Sequence, residues 1–162
     1  MPTHAKTLIV TLLFLGAENS LAAEKLSDIL RKSKWDGVIG TWVDTDTQGN
    51  RSKVTYAWKI RDRVIEITTK EESRESVALV GVNAKSGEIV HMGADSNGAS
   101  FLGKWELKDN GDAVLRLAFT DGDGRPGALS IRHRLEGSDA MNVTLELPQP
   151  LSFRMNRLKP GK

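Results

Sequence analysis

The chain has 162 residues, 39% of them hydrophobic and 27% charged, the make-up of an ordinary globular protein. Its 23 basic and 21 acidic residues leave a formal charge of +2, and they are interleaved. No basic stripe marks a nucleic-acid footprint, and the absence of cysteine excludes disulfides, thiol catalysis and a lipid anchor on a cleavage-site cysteine.

Residues 1–22 differ from the rest. Lys6 precedes an apolar run from Thr7 to Ala17, and Ser20 and Ala22 are small residues where a signal peptidase reads. The pattern predicts a signal peptide cleaved after Ala22 and a secreted or periplasmic product. The run is short for a membrane span, so no stable span is expected after cleavage. The remaining chain, about 140 residues, is long enough to bury about two-thirds of its unfolded surface without covalent staples.

Leu26, Ile29 and Leu30 recur at helical spacing among polar neighbours, which predicts a short amphipathic helix over Glu24–Lys34, plugging a barrel end or lying on the surface. Residues 23–36 form this helix and lead-in. Residues 37–158 then alternate between strand and turn signals, and 159–162 are a tail. The first strand is expected over Val38–Val43. Val54, Tyr56, Trp58 and Ile60 alternate with Thr55, Ala57 and Lys59, the period of two of a half-buried strand. Further strands are expected over Val64–Lys70, Ser76–Asn83, Glu88–Ala94, Ala99–Leu107 and Ala113–Thr120. Asp95-Ser96-Asn97-Gly98 and Lys108-Asp109-Asn110-Gly111 carry turn chemistry between them. Leu129–Leu135, Met141–Leu147 and Leu151–Leu158 complete the set, with Pro148 and Pro150 interrupting the last two.

No strand–helix alternation appears, so a parallel sheet is not expected. The pattern predicts an all-β, antiparallel up-and-down barrel of roughly 8–10 strands with a short N-terminal helix, since closure removes sticky edges. A two-sheet sandwich is the alternative.

Gly40-Thr41-Trp42 resembles the Gly-x-Trp signature of lipocalins and their calycin relatives. The chain is also similar to exported bacterial lipocalin-like domains of unknown function, which begin Gly-Thr-Trp and carry a turn like Asp95-Ser96-Asn97-Gly98. The resemblance implies a barrel with Trp42 at its closed end and an arginine from near the C-terminus, Arg154 or Arg157, across the indole. It implies no activity. Lipocalins have eight strands and a late helix that this chain lacks. The strand count is closer to fatty-acid-binding proteins or nitrobindins, and a haem, as in the latter, would use His91 or His133.

The inward faces are expected to include Trp42, Tyr56, Trp58, Ile67 and Phe101, with Trp105, Ile131, His133, Val143 and Phe153. Such aromatic faces either pack a core or line an apolar pocket. Tyr56, Trp58, Phe101, Trp105 and His133 are the candidate ligand-binding residues, for a small apolar or amphipathic molecule. Gly40, Trp42 and Arg154 are candidate structural residues. His91 and His133, without cysteine, make a poor metal signature, so no metal or cofactor is assigned. Asp44-x-Asp46-x-Gln48-Gly49 has Thr55 where a calcium loop needs glutamate, and Arg125 follows Asp121-Gly122-Asp123-Gly124; both read as turns. No hydrolase elbow, zinc-protease helix or phosphate loop occurs, so no catalytic residue is assigned. Two other functions stay open: an interaction or inhibitor module acting through the loops Asp44–Asn50 and Asp121–Gly127, and an enzyme using Tyr56 and His133.

Overall fold

The computed structural model describes residues 24–47, 49 and 51–159; the expected signal peptide, residues 1–22, and most of the tail lie outside them. Among the described residues, one helix, α1 (Leu26–Lys32), and a 3₁₀ turn (Asp36–Val38) precede ten strands. These are β1 (Gly40–Asp44), β2 (Ser52–Ile60), β3 (Val64–Glu71), β4 (Glu75–Val82) and β5 (Ile89–Asp95), then β6 (Ser100–Leu107), β7 (Asp112–Thr120), β8 (Pro126–Glu136), β9 (Ala140–Leu145) and β10 (Leu151–Arg157). Every strand pairs antiparallel with its neighbours in sequence. β1 also pairs with β10, Trp42 opposite Arg157, and this closes the sheet. The expected up-and-down barrel is what forms, and closure through β1 and β10 replaces the sandwich alternative.

The period-two patterns place one face of each strand inside. Trp42, Met141 and Met155 are fully buried there, with Ile65, Ile67, Val80, Ile89 and Val143 around them. Burial of such side chains is the main favourable term in folding. On the outer wall, complementary charges pair across strands, as Arg132 does with Glu146 and Arg116 with Glu106.

The N-terminal segment differs from the sequence expectation in its details. The helix is shorter than Glu24–Lys34, and the strand starts at Gly40 rather than Val38. The cause is local hydrogen bonding. Lys34 adopts a left-handed conformation (φ 59°), Trp35 N–H donates to Leu30 O at 2.7 Å, and Lys34 N–H donates to Arg31 O at 3.1 Å. These are the two bonds of a Schellman stop, which ends the helix and turns the chain back. Val38 N–H then donates to Trp35 O, closing the 3₁₀ turn where a strand was expected. Ser27 N–H donates to the Asp62 carbonyl in the β2–β3 turn at 3.3 Å. Trp35 Nε1–H donates to the Gly111 carbonyl in the β6–β7 turn at 3.0 Å. The segment therefore caps the barrel end formed by these turns, with Leu26 and Leu30 buried inside it.

Candidate functional site

The stop after α1 sends Trp35 into the barrel beside Leu30. Leu26, Leu30, Trp35 and Val38 form one side of an apolar cavity of about 30 Å³. The opposite wall comes from Tyr56 (β2), Ile67 (β3), Val80 (β4), Ile89 (β5) and Trp105 (β6). No polar atom faces this space. It is room for about one or two water-sized groups, and its apolar walls favour a dry interior.

Beside the cavity two histidines flank Trp105. Trp105 Nε1–H donates to His91 Nδ1 at 3.2 Å, which makes that nitrogen an acceptor. On its other side the Trp105 ring lies 5.0 Å from the His133 ring, centroid to centroid. Trp35 meets His133 edge-on at 6.5 Å. Phe101 packs against His91 at 5.7 Å. The chain spacing of these residues hides their adjacency, because it arises only when β5, β6 and β8 curve round a common interior.

Both histidines are deeply buried, His91 5% and His133 7% exposed. Burial pushes each down to about 4; for His133 the Ile131 and Ala113 carbonyls pull weakly the other way. Both are therefore neutral near pH 7. The Ile131 and Ala113 carbonyls lie near the His133 ring, but its Nδ1 makes no hydrogen bond of good geometry among the described residues. An unpaired buried polar atom is costly and is rare in native interiors. Tyr56 is also buried, and burial raises its hydroxyl above the ordinary phenol range. Tyr56 and His133, the pair an enzyme would use, share no hydrogen bond among the described residues.

Of the candidate ligand residues, Tyr56 and Trp105 meet in the cavity wall, His133 backs onto Trp105, and Phe101 joins through His91. Trp58 is half-buried, opposite Ile65 in β3, and does not line the cavity. Trp35, Leu26 and Leu30 belong to the site but were not among the candidates, and His91 belongs to it although the sequence marked it only as a possible haem ligand. A tryptophan directly after an amphipathic helix was the available signal for the plug. The cation over Trp42 is Arg157, 4.3 Å from the ring centroid. Arg154 points outward and pairs with Glu136 at 2.6 Å. Gly40, next to that contact, takes φ 141°, and a Cβ there would sit 2.2 Å from the Arg157 guanidinium. The two acidic loops are built as turns: Asp44 accepts from the backbone N–H of Thr47 and Ser52, and Asp121 from those of Asp123 and Arg125.

These features define a closed antiparallel ten-strand β-barrel, plugged at one end by a helix and holding a buried His–Trp–His cluster. No protein-family model matches the chain, and no curated protein matches it.

Proposed function

We propose that the protein is an exported lipocalin-like barrel that binds a small apolar or amphipathic molecule in its interior. The observation that carries this reading is the apolar cavity beneath α1, bounded by Trp35 and Trp105. Most binding sites for small molecules are larger, at about 300–1,000 Å³. A bound molecule would therefore take space now filled by the plug. The plug suits that role, because a seven-residue helix is marginal by itself and depends on its packing and on the Asp62 and Gly111 carbonyls.

The test is to extract the purified protein with organic solvent and identify what is released, alongside titration of tryptophan emission with medium-chain apolar compounds. A stoichiometric released molecule, or a saturable shift in emission, supports the reading. Protein that releases nothing and whose emission no compound moves counts against it.

A second reading, an interaction module, is favoured by one relationship. The β1–β2 and β7–β8 loops emerge at the same barrel end, opposite α1. Substituting Asp46 and Asp123 together should abolish recovery of a partner in a pull-down; unchanged recovery would argue against these loops.

A further inference from the structure

The polar groups of the interior say what kind of molecule it accepts. Among the described residues, the buried polar or charged side chains besides Tyr56 are Ser27, Asp44, His91, Asp112 and His133. Asp44 is occupied by its loop and Asp112 by Arg134, and none of the five is a lysine or arginine. Arg157, whose guanidinium lies over the buried Trp42 ring, already donates to the Gly37, Ile39 and Ser138 carbonyls. A carboxylate or phosphate brought beside the histidine cluster would meet no buried lysine or arginine among the described residues, and an unpaired buried charge is strongly disfavoured. An ammonium would meet no free buried carboxylate among the described residues, since Asp44 and Asp112 are already engaged.

Among the fully inaccessible side-chain nitrogens and oxygens of the described residues, His133 Nδ1 is left without a hydrogen bond. Trp35 and Trp105 cover its ring, and both also line the cavity. From this we infer that the ligand is an uncharged apolar molecule bearing a hydroxyl, which reaches His133 Nδ1 as Trp35 yields its place. A hydroxyl suits either imidazole tautomer, since it donates to a lone pair and accepts from an N–H. The apolar body replaces the Trp35 ring against Leu26, Ile67 and Val80. This inference rests on the interior-binding reading above and specifies the chemistry of that site.

The experiment compares three probes of one length, 1-octanol, octanoate and octylammonium, on the purified protein at pH 7.5, following tryptophan emission. Octanol should bind at least about ten-fold more tightly than either ion. His133→Phe, which keeps an aromatic ring there and removes both nitrogens, should weaken octanol about ten-fold and leave 1-chlorooctane unchanged. In unmodified protein carrying 15N-labelled histidine, octanol should move the His133 Nδ1 resonance and 1-chlorooctane should not, a measurement that needs no variant to fold. Binding of octanoate or octylammonium as tightly as octanol would overturn the uncharged class while leaving interior binding intact. A His133 Nδ1 resonance indifferent to bound octanol would overturn the assigned contact. Failure of all four compounds to bind would instead remove the binding reading itself.

Discussion

The guanidinium of Arg157 lies 4.3 Å from the centre of the Trp42 ring, across the β1–β10 seam that closes the barrel. Trp42 is fully buried, and its Nε1–H donates to the Val38 carbonyl at 2.8 Å. Arg157 also reaches the Gly37 and Ile39 carbonyls before β1 and the Ser138 carbonyl in the β8–β9 turn. One side chain thus ties the last strand to the lead-in of the first.

Replacing Trp42 with alanine should destabilise the protein by roughly 3–5 kcal/mol, the cost of a large cavity in a core. Arg157→Ala should cost about 2 kcal/mol through the lost ring contact and orphaned carbonyls. Arg157→Lys should recover little of it, because an ammonium cannot span three carbonyls as a planar fork does. Arg154→Ala should cost under about 1 kcal/mol, since it breaks only an exposed pair with Glu136. Urea denaturation of the four variants checks the order.

Gly103 in β6 has no room for a side chain. A Cβ there would lie 2.2 Å from the backbone carbonyl oxygen of Arg116 in β7. Backbone in a paired strand cannot move aside as a flexible side chain can. Gly103→Ala should therefore destabilise by about 1–3 kcal/mol, whereas Leu102→Ala beside it, at 62% exposure, should change stability by less than about 0.5 kcal/mol. Thermal melting of the two variants tests the contrast.

Lys34 holds a left-handed conformation that glycine adopts freely and other residues resist. Lys34→Gly should stabilise the protein by about 0.5–1 kcal/mol, and Lys34→Val should destabilise it. Since this turn aims Trp35 into the barrel, the valine variant should also shift tryptophan emission to the red. Emission spectra and denaturation curves recorded together test both effects.

Stability should depend on pH through His91 and His133. Burial lowers both from 6.5 to about 4, so between those values the unfolded chain binds protons that the folded chain refuses. Stability is then complete above about pH 6.5 and falls as pH drops toward about 4, by up to roughly 3 kcal/mol per histidine. Loss at still lower pH adds the carboxylates, such as Asp112, which its bond from Arg134 holds below the usual range. His91→Phe should flatten the curve between pH 4 and 6.5 if it folds. Denaturation at a series of pH values in wild type and variant measures the slope.

The all-β class, the antiparallel hairpins and the helix at the start were legible in the sequence. They depend on near neighbours: alternation at a period of two, the Asn-Gly and Asp-Gly turns, and apolar residues three and four apart in Leu26, Ile29 and Leu30. The closed barrel was also expected, but the register that closes it was decided by tertiary structure, because pairing β1 with β10 joins residues more than a hundred positions apart. That register is what sets Arg157, and not Arg154, over Trp42. The cluster of His91, Trp105 and His133 with Trp35 was equally invisible in the chain. Its members come from three strands and the plug, and only the curvature of a closed sheet brings them within ring contact. The size of the cavity was also a tertiary matter, since it is the small difference between the volume the wall encloses and the volume the Leu26, Leu30 and Trp35 side chains fill.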